Sequence, residues 1–140
     1  MSAQTDVLRQ LCARFNERAP IEVERYFTPD FELDDPGSGA RRSGHEGARA
    51  MANALAGLGD SVRLEILDII EERDLVAVRY AVTTRTGEPD IGAMIAFYRF
   101  VDGRIAEDWG VSTRAAWRRW SPGTVISGRS CDPRGPAYTN

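Results

Sequence analysis

Lysine is absent from this 140-residue chain, and all 18 basic residues are arginine. That removes Schiff-base catalysis, pyridoxal-phosphate attachment and the lysine of a phosphate-binding loop. Histidine occurs once, as His45, so a metal site built from several histidines is excluded. Any Ser-His-Asp arrangement would have to use that residue. Cysteine occurs twice, as Cys12 and Cys131, with no zinc or redox spacing. The simplest reading is two thiols in a reducing compartment. No apolar run approaches the roughly 20 residues that span a bilayer. The polar start, Met1 to Asp6, does not read as a signal peptide. The expectation is a cytoplasmic protein with no membrane partner. A net charge of −3 argues against nucleic acid as a partner.

What is present is one ordinary globular domain's worth of sequence, with 42% apolar and 28% charged residues. Val7, Leu8, Leu11, Cys12 and Phe15 share a helical face, which predicts a helix over Thr5 to Arg18. Ile21, Val23, Tyr26 and Phe27 suggest a short second helix before Pro29. Phe31 to Asp35 alternates, so Asp35 points inward with Phe31 and Leu33. A carboxylate on a buried face is costly unless it is paired or used. Pro36 to Gly39 is a turn, and a third helix is predicted over about Glu46 to Leu58.

From Ser61 the pattern turns strand-like, with a phase slip at Leu67 of the kind a bulge causes. Four long strands follow one another, the last two joined at Asp102-Gly103, a two-residue hairpin signal. Residues 1–114 are expected to form one domain, and 115–140 an irregular tail. The predicted fold is α+β: a curved antiparallel sheet with three N-terminal helices packed over a pocket.

The hairpin pairs Val101 with Arg104. Counted back without interruption, Tyr98 faces Glu107, Ala96 faces Trp109 and Met94 faces Val111. Those residues are placed on the pocket side. Ile95, Phe97 and Arg79 are placed on the outer face, where a second copy would cover them as a homodimer. Parity alone leaves the reverse assignment of the two faces open.

Asn16, Phe27-Thr28-Pro29-Asp30, Asp35-Pro36-Gly37-Ser38 and Arg42-Ser43-Gly44 resemble the front half of bacterial Δ5-3-ketosteroid isomerases. Val76-Ala77-Val78-Arg79 and the run Phe97 to Trp109 resemble SnoaL-like polyketide cyclases. Both belong to the nuclear transport factor 2-like superfamily, which implies a cone-shaped α+β roll. The resemblance covers about Thr5 to Thr113 and places Asp35 at the isomerase general base. Three positions depart from the family patterns. The isomerase oxyanion-hole Tyr falls at Leu11, its oxyanion-hole Asp at Ala96, and the cyclase catalytic Asp at Thr113.

The candidate catalytic residues are therefore Asp35 as base, with Tyr98 and Glu107 as hydrogen-bond donor and second acid. Tyr80 is an alternative donor. Leu11, Phe15, Met51, Leu55, Tyr80, Met94, Ala96, Trp109 and Thr113 are the candidates for the substrate-binding wall. The implied ligand is a hydrophobic carbonyl compound, and the implied chemistry is isomerisation, aldol-type cyclisation or dehydration. No metal or organic cofactor is implied. The alternative is a non-catalytic ligand-binding or dimerisation module of the same fold. His45 reads as a capping or surface residue at a helix start.

Overall fold

The computed structural model describes residues 2–36, 39–57, 62–84 and 92–112. Thr113 and the expected tail over 115–140 lie outside the described residues.

Helix α1 spans Ala3–Glu17 and begins two residues before the expected Thr5 because Ser2 caps it, its side chain accepting from the Thr5 N–H. It ends at Arg18, which takes a left-handed conformation. Helix α2, Val23–Tyr26, runs straight into strand β1, Phe27–Asp35. This strand is longer than the predicted Phe31 to Asp35. Its pairing with β6 is interrupted between Phe27 and Glu32, where Pro29 has no N–H to donate. Strand β2, Ala40–Ser43, was not predicted; four residues carry too little alternation to stand out. Helix α3 spans Gly44–Ala56. Strands β3 (Val62–Glu72), β4 (Leu75–Thr84), β5 (Gly92–Val101) and β6 (Arg104–Ser112) complete the sheet.

The sheet order is β2-β1-β6-β5-β4-β3. Every neighbouring pair is antiparallel except β1 with β6, which is parallel. The fold is α+β, a curved and unclosed six-stranded sheet carrying few helices. The main core joins Leu8 of α1, Val23 and Tyr26 of α2 and Ala48 of α3 to Phe31, Val76, Val78, Phe100 and Ile105 of the sheet. Asn16 ties α1 to β3, donating to the Leu64 carbonyl at 2.8 Å and accepting the Leu64 N–H at 2.9 Å.

Two bulges decide which side chains face inward. In β3, Ile66 pairs with Tyr80 and Asp68 with Arg79, so Leu67 is the extra residue, as its phase slip predicts. The second was not foreseen. The hairpin forms at Asp102 and Gly103, both with positive φ, and Val101 pairs with Arg104 and Phe100 with Ile105. Beyond that, Arg99 pairs with Glu107, leaving Ala106 unmatched. One extra residue turns all that follow to the opposite face. The uninterrupted register is therefore corrected: Tyr98 faces Asp108, Ala96 faces Gly110 and Met94 faces Ser112.

Candidate functional site

A cavity of about 280 Å³ opens between the curved sheet and helices α1 and α3. Its wall is mostly aliphatic and aromatic. Of the residues expected there, Leu11, Phe15, Met51, Leu55, Tyr80, Met94 and Ala96 line it, as do Asp35 and Tyr98. Asp35 arrives by the parity it shares with Phe31 and Leu33. Thr113 lies outside the described residues.

Glu107 and Trp109 do not reach the cavity. The extra residue at Ala106 puts both on the outer face. There Glu107 accepts from Arg99 at 3.3 Å, and Asp74 accepts from the same guanidinium at 2.9 Å. Trp109 packs edge-on to Phe97, ring centres 5.7 Å apart, and is 42% exposed. Ile95, Phe97 and Val111 are exposed beside it, so the outer face carries an apolar patch across β5 and β6.

In place of Glu107 the cavity receives Asp108, which the sequence reading missed. Adjacent carboxylates on one strand face opposite ways. Of Glu107-Asp108, one had to point inward whichever register held, and that was the available signal. Asp108 borders the open cavity, yet protein surrounds its carboxyl group. Burial, with the Asp35 charge adding to it, pushes its pKa from 3.8 up to about 7.

Tyr80 and Tyr98 are buried, with their hydroxyls 3.0 Å apart. Burial raises both well above the ordinary phenol range, so both stay protonated. One hydroxyl proton makes the bond between them, and the other can serve an acceptor in the cavity. Cys12 also lines the cavity; burial raises its thiol pKa, and the S–H donates to the Leu64 carbonyl at 3.4 Å. A thiol held this way is a poor nucleophile. His45 sits in the first turn of α3 with Nε2 2.9 Å from the Phe27 carbonyl, tying α3 to β1. Among the described residues, no group of three His, Cys, Asp or Glu is placed to hold a metal ion, and no helix is long and apolar enough to cross a membrane.

The arrangement is an apolar chamber with the Asp35 and Asp108 carboxyl groups and a hydroxyl pair on its sheet wall; Asp34, which also borders it, is paired with Arg41. Sequence and structure comparisons agree with the fold. Residues 8–108 match the SnoaL-like domain, and the chain belongs to that family, within the nuclear transport factor 2-like superfamily. No curated protein sequence matches the chain. A loop-truncation variant of IdmH superposes with a TM-score of 0.65 at 25% identity, covering 78% of this chain and 91% of that one. Wild-type IdmH comes from Streptomyces antibioticus and is a proposed polyketide cyclase. TerC, co-crystallised with polyporic acid, gives 0.64 at 20% identity over 85% and 98% of the two chains. A de novo designed protein with a curved β-sheet gives 0.69 at 16% identity, over 86% and 98%. A designed chain thus shares the shape, and likeness at this level speaks to fold rather than to chemistry.

Proposed function

We propose that the protein is an enzyme that performs acid–base chemistry on a hydrophobic carbonyl compound. The carrying observation is that Asp35 and Asp108 both line a mostly apolar cavity, close enough for the Asp35 charge to act on Asp108. Burial, and then the neighbouring Asp35 charge, raise Asp108 to about 7, so a share of it carries a proton at neutral pH. Asp35, at the end of β1, is the base that takes a proton from the carbon beside the carbonyl. Asp108 and the Tyr98 hydroxyl are the donors to the carbonyl oxygen as negative charge builds there. They stand in for the family donors replaced at Leu11 and Ala96. The apolar wall excludes water, which strengthens each of these interactions.

The test is exchange of the α-hydrogens of aryl alkyl ketones into deuterated water, followed by NMR. Asp35→Asn is expected to slow the exchange by about 10²- to 10⁴-fold, the usual worth of a positioned base. A specific observation favours a second reading: Leu11 and Ala96 leave both family donor positions apolar. A ligand-binding module would bind such ketones without exchanging them, and Asp35→Asn would change nothing but affinity.

We also propose that the outer face of β5 and β6 is covered by a second copy. Phe97 and Trp109, each more than 40% exposed, would lie at its centre. Phe97→Glu is expected to give a monomer where the wild type is a dimer, read by light scattering. A wild-type monomer at micromolar concentration would refute the assignment.

A further inference from the structure

Strands β2, β1, β6 and β5 bring one row of residues side by side. Arg42 pairs with Leu33, Leu33 with Asp108, and Asp108 with Tyr98. Directly paired residues share a face, and all four line the cavity. The row reads cation, apolar spacer, carboxyl, hydroxyl. With strands about 4.8 Å apart, the Arg42 and Asp108 Cα atoms lie about 10 Å apart. The arginine side chain is long enough to close part of that gap.

Arg42 is the one cationic side chain on the cavity wall among the described residues. It forms no ion pair among them either. Its neighbour Arg41, on the opposite face of β2, pairs with Asp34 at 3.7 Å. The Arg42 backbone is held in place by α3: a Cβ at Gly47 would come within 3.1 Å of the Arg42 Cβ. A half-buried charge without a partner is unfavourable until something compensates it. A guanidinium offers a planar fork that fits a carboxylate with two parallel hydrogen bonds. A phosphate dianion would call for more than one cation, and among the described residues the wall holds only this one.

We propose that Arg42 anchors a carboxylate of the substrate, so that the substrate class is an oxo-carboxylic acid with an apolar body. The carboxylate sits at the β2 end of the row, the ketone oxygen at Asp108 and Tyr98, and the apolar body against Leu11, Phe15 and Met51. This orientation rests on the acid–base reading above. It brings the carbon between the two groups toward Asp35. The burial that leaves Asp108 partly protonated at neutral pH also lowers the repulsion an incoming anion meets.

The probes are 4-(2-naphthyl)-4-oxobutanoate and its methyl ester, which differ in the charge at one end. Binding is measured by titration calorimetry at two salt concentrations. The wild type is expected to bind the acid at least tenfold more tightly than the ester, with the preference shrinking at high salt. Arg42→Gln is expected to bring the acid down to the level of the ester and to leave the ester within about twofold. Arg42→Lys is expected to restore part of the preference. Equal binding of acid and ester by the wild type overturns the proposal, and so does failure of both to bind. Since that comparison needs no variant, it stands even if Arg42→Gln does not fold. A preference that persists in a folded Arg42→Gln variant overturns it too. Asp35→Asn separates the two readings: if it keeps both the acid preference and the wild-type exchange rate, the anchor stands and the acid–base reading falls.

Discussion

Asp108→Asn is expected to stabilise the protein at pH 8 and to do so by only about a quarter as much at pH 4.5. In the unfolded chain this carboxyl ionises near 3.8, and in the folded chain at about 7. Between those values the folded state holds one more proton than the unfolded state. Stability therefore falls as pH rises through this window and stays low above it. A displacement from 3.8 to about 7 corresponds to about 4 kcal/mol as an upper bound. Asparagine keeps the shape of the protonated acid and never ionises, so it escapes that loss. For a chain of this size the gain amounts to about 10 °C in Tm at pH 8. Thermal melting of both proteins at the two pH values checks it. A difference that is the same at both would mean that Asp108 titrates as an ordinary surface carboxylate, and the acid half of the proposed pair would be lost. The direction also bears on function. A buried acid that costs stability at neutral pH is what a site tuned for proton transfer is expected to contain.

Phe31→Ala is expected to cost about 3–5 kcal/mol, a large part of the 5–15 kcal/mol that holds a typical domain folded. Phe31 is fully buried and meets Phe27 edge-on, ring centres 4.8 Å apart. It belongs to the cluster that joins all three helices to the sheet, so no flexible surface can collapse into the space it leaves. Ile70→Ala is the matched control, because Ile70 is 69% exposed and its truncation is expected to stay within about 0.5 kcal/mol. Urea midpoints of the two variants against the wild type make the comparison. Similar midpoints for both would show that the core does not depend on Phe31. The two residues on its face, Leu33 and Asp35, line the cavity. A folded Phe31→Ala variant should therefore also bind the naphthyl probes more weakly.

Much of this molecule could be read along the chain. Asp35 reaches the cavity because Phe31, Leu33 and Asp35 alternate on one short stretch, and a pleated strand converts that alternation directly into a face. Tyr98, Ala96 and Met94 follow for the same reason on β5. The bulge at Leu67 is visible because the apolar phase changes there within a few residues. These are local properties, carried by the geometry of the backbone between near neighbours. Asp108, Glu107 and Trp109 are different. Their faces depend on one unmatched residue, Ala106, which is small and ambivalent and leaves no mark in the apolar pattern. The strand after it reads plausibly in either phase. Arg42 and Asp108 are 66 positions apart, and what places them in one row is the insertion of β1 between β2 and β6, with β1 and β6 running parallel. A parallel neighbour so distant in the chain is chosen by packing of the whole sheet around α1 and α3. No alternation within either segment encodes it. Residue chemistry and strand parity thus defined which groups were available to the cavity, while long-range pairing decided which carboxylate faces it and which arginine stands beside it.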